Sequence, residues 1–188
     1  MKKNNISKLL TIYFSIIMFL TAIGFILKKE HHFICNLIPI YLSFLLFIYF
    51  ENKKKFKVKN NIKALVIITA ILHNSFGQYL NLYITTNWFD KALHVFGTFS
   101  LSLFCYSIMD STTSFFSRSK IFIFILITSI GITVGVFLEN LEFILDIIFK
   151  TENQHGQVDT NLDLMFNIFG ATLAGILAAF RKTPFTNK

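Results

Sequence analysis

Charge is scarce in this sequence. Only 15% of its 188 residues are Asp, Glu, Lys or Arg, whereas a soluble domain carries roughly 25%. A water-facing surface made from this chain would be too apolar to stay in solution, which excludes an ordinary soluble domain. Cysteine is nearly absent: Cys35 and Cys105 both fall inside apolar windows and read as small hydrophobes, with neither a disulfide nor a thiolate metal site expected. No Gly-rich phosphate loop, no Ser-His-Asp set and no Cys-His set is evident. These absences remove the common nucleotide-binding and covalent-catalysis readings.

Hydrocarbon is what the chain has in excess, with 54% hydrophobic residues. Uncharged windows run over 9–27, 33–50, 64–89, 92–109, 121–138 and 164–180. A bilayer span takes about 20 mostly apolar residues, and flanking residues at the interface extend the shorter windows. The expected fold is all-α: a polytopic membrane bundle of six transmembrane helices at about 8–28, 32–50, 62–85, 89–110, 120–149 and 159–180. It forms a single integral membrane domain over 1–188. The basic start followed by Ala22-Ile23-Gly24 imitates a secretory signal. Apolar residues continue through Leu27, however, beyond an h-region of about 7–15 residues, so this stretch reads as an uncleaved first helix.

The net charge of +8 is distributed as membrane topology requires. With the N-terminus inside, fourteen Lys and Arg fall on cytoplasmic segments and four on outer ones. The positive-inside rule then places both termini in the cytoplasm. The basic run Lys53–Lys63 reads as a topology signal and lipid-headgroup contact, with no nucleic-acid partner. Tyr83 and Trp88 suit the outer interfacial belt. Pro39 falls inside the second span, where it can kink a helix. Gly131 and Gly135, Gly170 and Ala174, and Ala171 and Gly175 have the small-xxx-small spacing that lets membrane helices approach closely.

Eight of the ten acids fall on the outer half of this topology: Glu30, Asp90, Glu139, Glu142, Asp146, Glu152, Asp159 and Asp163. Helical spacing groups six of them. Asp90 and His94 are i, i+4 at the start of the fourth span. Glu139, Glu142 and Asp146 are i, i+3, i+7 late in the fifth. Asp159, Asp163 and Asn167 are i, i+4, i+8 at the start of the sixth. The third span adds a polar face of His73, Gly77 and Asn81, with Asn74 and Gln78 beside it. A charge at the bilayer centre costs roughly 2.5–3.5 kcal/mol on insertion scales. Anions at one depth must therefore share a proton, a cation or a pocket of water. Lys91 is the nearby fixed positive charge on these helices. Asp90 and Asp159 taken alone read as helix caps, and a lone His94 as a buried, hydrogen-bonded histidine. Glu139 and Glu142 lie too far from a helix start for capping. His73 and Asn81 serve equally as supports for a site or as interhelical glue, and Asn167 and Asp146 are supporting candidates.

In order along the chain, Asp90-x3-His94, Glu139-x2-Glu142, the run Gly156-Gln157-Val158-Asp159-Thr160-Asn161-Leu162-Asp163-Leu164-Met165 and Gly170-Ala171 resemble the YjdF-like bacterial inner-membrane proteins. The likeness covers roughly residues 65–180. It departs from that pattern at Val158, where a Trp is usual, at Asn161, where a Gln is usual, and in a Gly-to-Asp spacing one residue shorter. The ending Asp163-Leu164-x2-Asn167-x2-Gly170 is also similar to VanZ-like membrane proteins linked to glycopeptide resistance. These resemblances imply a multi-pass protein of the bacterial inner membrane and no particular reaction.

Three functions compete at this level. In the first, Asp90, His94, Glu139, Glu142, Asp159 and Asp163 hold a divalent metal that activates water or polarises a lipid or lipid-linked envelope substrate. Mixed carboxylate and imidazole ligands suit zinc, iron or manganese, and carboxylates alone suit magnesium or calcium. In the second, the same groups relay protons or cations in a transporter, although only Ser and Thr continue towards the cytoplasmic side. The third is a non-catalytic envelope resistance or immunity factor.

Overall fold

In lipid every backbone N–H and C=O needs a partner within the chain, so long apolar runs fold as helices. A computed structural model describes residues 2–53, 56–113, 119–149, 154 and 156–181. Its helices are α1 (Lys2–Lys28), α2 (Ile34–Asn52), α3 (Asn60–Ile71), α4 (Leu82–Thr85), α5 (Phe89–Thr113), α6 (Lys120–Phe149) and α7 (Gln157–Phe180). No β-strand occurs among the described residues. Five stretches are long and apolar enough to cross a membrane: Asn5–Lys28, His31–Asn52, Phe89–Thr112, Lys120–Phe149 and Gln157–Phe180. Their outward faces carry large apolar side chains such as Phe19, Leu27, Ile121, Met165 and Phe180, all exposed, a surface that hydrocarbon rather than water would cover. Glu152, one of the outer acids, lies outside the described residues.

The expected unbroken helix over 62–85 is a correction. α3 continues as a π-helical segment, Leu72–Tyr79, and the chain then turns through Asn81 at φ 59° into the short α4. Asn74 Nδ2 donates to the Ala70 carbonyl at 2.9 Å, engaging an acceptor of the helical ladder where the turn widens. Asn81 takes the left-handed conformation that a short polar side chain tolerates. Gly77 lets the chain fold back, because a Cβ there would overlap the Tyr83 ring. α1 also ends on a left-handed residue, Lys29 at φ 61°. Glu30 N–H donates to the Phe25 carbonyl and Lys29 N–H to that of Ile26, at 2.9 and 3.1 Å, the Schellman arrangement of a helix end.

Two sets of contacts mark the ends of the bundle. At one end Lys63 Nζ donates to Ser7 Oγ and Glu51 Oε2, at 2.8 and 2.5 Å, and Lys57 N–H donates to Ser111 Oγ at 2.7 Å. At the other, Lys28 Nζ donates to the Tyr79 carbonyl at 2.6 Å. The α3–π rod therefore runs beside α1 from the lysine-rich end to the opposite one.

α5, α6 and α7 pack most closely, and small residues set their spacing. A Cβ on Gly170 would strike the Val95 carbonyl of α5, and one on Gly131 would strike Ala171 of α7. Gly135 leaves room for the side chain of Asn167, which is how the helix packing reaches the site.

Candidate functional site

The acids gather at the end away from the lysines. Lys91 projects from the first turns of α5 into α7 and donates to Asp90 Oδ2, Asp159 Oδ1 and Asp163 Oδ1 at 2.8, 2.5 and 2.6 Å. An ammonium has three N–H donors, and all three are engaged. Asp159 thus accepts an ion pair from α5, although its position at the start of α7 alone suited a cap.

His94 sits one turn further in. Its Nε2 lies 3.3 Å from Asp90 Oδ1 and 3.5 Å from Asp163 Oδ1. Its Nδ1 lies 3.4 Å from Glu139 Oε1 and 3.3 Å from Asn167 Oδ1. Asn167 is itself fixed, accepting from the Thr98 hydroxyl at 2.5 Å and donating to Glu139 Oε1 at 3.4 Å. Asp90, His94 and Asp163 each offer a metal-ligating atom within 4.8 Å of the others. With Nδ1 held by a carboxylate and Nε2 turned towards two more, His94 has the orientation common to metal-bound histidines.

Of the candidates from the sequence, the structure brings Asp90, His94, Glu139, Asp159, Asp163 and Asn167 into one hydrogen-bonded group. Glu142 lies one turn further along α6 and lines the cavity in front of that group. Asp146 accepts the Gln154 backbone N–H at 2.9 Å. His73 and Asn81 stand on the facing wall of the cavity. Tyr83, expected with Trp88 in the outer interfacial belt, has its hydroxyl on His73 Nδ1 at 2.6 Å, whereas Trp88 is exposed. Sequence reasoning missed Thr98, one of several hydroxyls along α5 with nothing in the spacing to single it out, and treated Lys91 only as a nearby charge rather than the hub.

Two cavities meet here. One, of about 560 Å³, is polar, with Glu30, Gln78, Asp90, Glu142 and Asp163 in its wall. The other, of about 580 Å³, is almost wholly apolar and lies between α2, α3, α5 and α6, with Phe44, Phe47, Leu101, Phe104 and Leu141 in its wall. His73, Tyr83, His94 and Glu142 belong to both walls.

A family model of predicted membrane proteins, DUF2238, matches residues 7–184. The chain belongs to this family. It is a multi-pass membrane protein, and the matched range takes in every residue of the cluster. An uncharacterized protein of Thermotoga maritima is 32% identical over 126 residues, a match that spans 64% of this chain and 64% of that relative. No solved structure matches the chain.

Proposed function

We propose that this family member is a six-span protein of the bacterial cell membrane that binds an amphiphile, a lipid or a lipid-linked envelope precursor. The tail lies in the apolar cavity and the headgroup at the carboxylate–histidine cluster. The observation that carries this reading is the shared wall: His73, Tyr83, His94 and Glu142 border a polar chamber on one side and a hydrocarbon-lined chamber on the other. Ligand sites are mostly apolar concavities with a few convergent polar groups, and a joined pair of this kind suits a molecule with both characters. A sixth span is supported by the α3–π rod, whose ends contact α1 near Ser7 and at Lys28. Segregation of lysines supports a cytoplasmic lysine-rich end and an outward-facing cluster. Asp90, His94, Glu139, Asp159 and Asp163 are among the residues that resemble the YjdF-like proteins, which supports reading them as one site. The ending similar to VanZ-like proteins supports an envelope setting.

Closure of the lysine-rich end favours a one-sided site over a transport path. Lys63 and Glu51 are buried and paired there. Ser100 and Ser102 of α5 donate to carbonyls of their own helix, leaving those hydroxyl protons unavailable to a relay.

Native mass spectrometry of the protein released from membranes tests the proposal. Wild type is expected to retain amphiphiles. Leu101→Trp, which obstructs the apolar cavity, is expected to retain less of them while keeping its helicity and elution volume. Wild type that carries no amphiphile, or retention indifferent to both Leu101→Trp and Asp163→Asn, would overturn it. A second reading, a divalent metal on Asp90, His94 and Asp163, is favoured by the proximity of their ligand atoms and by the carboxylate behind His94. It predicts stoichiometric metal by elemental analysis and a lower Tm in chelator.

A further inference from the structure

We infer that the apolar cavity opens sideways into the bilayer through a portal between α2 and α6, and that its occupant is one hydrocarbon chain of a lipid from the leaflet at the acidic end. The inference rests on the amphiphile reading and assigns the source of the amphiphile and its route.

Three sides of the cavity are closed by packing. α2 leans on α1, where the rings of Phe14 and Phe44 have centroids 4.7 Å apart and the Tyr41 hydroxyl donates to Ser15 Oγ at 2.9 Å. Towards the lysine-rich end the floor is aromatic. Phe47 meets Phe104 of α5 at 4.7 Å and Phe56 at 5.7 Å, and Lys63 lies over the Phe47 ring. α3 and α5 form the back wall, with the buried Ile67, Ala70 and Leu93. The fourth side differs. α6 packs on α7 and α5, and between it and α2 the cavity is lined by residues that are also exposed: Pro39 and Ser43 on α2, and Phe137 and Leu141 on α6. Each pair is spaced i, i+4, so each forms a rim along one helix. Phe137 is 61% exposed while lining the cavity, which puts it at a mouth and not at a sealed seam.

What lies outside the mouth fixes the occupant. Leu42 and Leu46 of α2 and Ile144 of α6, beside the rims, are exposed, part of the apolar surface that hydrocarbon covers. A mouth in such a surface opens on lipid chains and not on water. Pro39 and Ser43 lie five and nine residues from the start of α2, about 7 and 14 Å along the axis, so the mouth lies in the half of the span nearer the acids. The acidic end of the cavity reaches His73, Tyr83, His94 and Glu142. A lipid that enters sideways therefore brings its headgroup to the cluster without carrying it through hydrocarbon, the step that would cost most. Volume limits the guest. At about 30 Å³ per chain carbon, close to the share of one water in the liquid, a cavity of about 580 Å³ takes one chain and not two. The second chain of a two-chain lipid stays in the bilayer, outside the mouth.

The test uses the full chain in phosphatidylcholine vesicles. Trp88 is the one tryptophan of the chain, so Trp88→Phe with Phe104→Trp moves the fluorophore to the cavity floor. Lipids brominated along the acyl chain should quench it strongly. They should quench Trp88→Phe with Phe25→Trp much less, because Phe25 is buried against Phe33 and Tyr79, away from the cavity. Phe47→Trp, on the same floor, serves if the first reporter does not fold. The rims are then joined: Ser43→Cys and Phe137→Cys, with Cys35→Ala and Cys105→Ala, are bridged by a bis-maleimide. Bridging should slow quenching by brominated lipid delivered through vesicle fusion about tenfold, with helicity unchanged. Quenching at an unaltered rate with the rims joined would overturn the portal and leave the amphiphile reading standing. No quenching, while native mass spectrometry still finds a retained amphiphile, would mean an occupant not drawn from the bilayer and would overturn it too. No quenching and no retained amphiphile would sink both.

Discussion

The two ends of the bundle bury charge in different ways. At the lysine-rich end Lys63 and Glu51 form a one-to-one pair: their side chains, 5% and 10% exposed, lie 2.5 Å apart. The remaining bonds are also made, since Ser7 Oγ accepts from Lys63 and Glu51 Oε1 accepts from the Val58 N–H at 2.9 Å. At the other end one cation serves three aspartates, two glutamates stand behind them, and acceptor oxygens are left over beside a cavity. A buried pair is stable only when geometry and hydrogen bonds offset desolvation. The Lys63–Glu51 pair meets that condition by its own bonds. The second end meets it only partly, and that remainder is what the proposed function draws on.

The largest expected effect tests whether Lys91 is the sole local counter-charge. Lys91→Met leaves three clustered carboxylates and should destabilise the bundle by more than about 3–5 kcal/mol, the range for orphaning one partner of a buried pair. Adding Asp159→Asn should recover part of the loss, read as Tm or resistance to denaturing detergent. A Lys91→Met protein as stable as wild type would show that the cluster carries no charge deficit.

The lysine-rich end gives the next effect and the sharper contrast. Lys63→Met alone should lose about 3–5 kcal/mol, because Glu51 is left buried without its cation. The double change Lys63→Met with Glu51→Leu should regain most of that, since an apolar pair of similar size replaces a balanced ion pair at little net cost. No such apolar rescue is expected at the cluster, where one substitution cannot neutralise the excess. Equal rescue at both ends would erase the distinction.

Much of this contrast was legible in the sequence, because the pressures that produce it are local. Long uncharged runs must form helices in lipid, and the 3.6-residue repeat puts Asp90 with His94 and Asp159 with Asp163 and Asn167 on single faces. What was not legible depends on tertiary partners. Hydropathy cannot register the π-helical turn at Leu72–Tyr79, which accompanies the Asn74 bond to the Ala70 carbonyl and the Tyr83 ring against Gly77. Spacing alone puts Asp146 on the stripe of Glu139 and Glu142, yet its carboxylate is taken by a loop N–H that no periodicity records. Lys91 follows Asp90 directly, which argues against a shared helical face. Its long flexible stem nevertheless carries the ammonium to α7.

A moderate effect is expected where packing and site meet. Asn167→Leu keeps roughly the volume beside Gly135 but strips the Thr98 hydroxyl and Glu139 Oε1 of a partner. Leaving such buried groups unmet costs about 1–3 kcal/mol, measurable as a fall in Tm. Amphiphile binding should weaken as well, because His94 loses one of the two groups that hold Nδ1. A variant that lost stability and bound normally would confine Asn167 to helix packing.

The smallest effect draws the border of the site along α6. Asp146 lies one turn beyond Glu142, and the spacing alone treats them as equals. In the structure Glu142 lines both cavities, while Asp146 Oδ2 holds the Gln154 N–H. Asp146→Asn keeps an acceptor oxygen for that bond, so stability should change by less than about 1 kcal/mol, within the range of one ordinary hydrogen bond. Amphiphile retention should stay within about twofold of wild type, against a loss of about tenfold for Glu142→Gln. The two variants differ from wild type by the same chemical step, carboxylate to amide, on the same helix. Equal losses from both would mean that binding responds to the total charge at this end of the bundle. A loss confined to Glu142→Gln would mean that it responds to the group in the cavity wall.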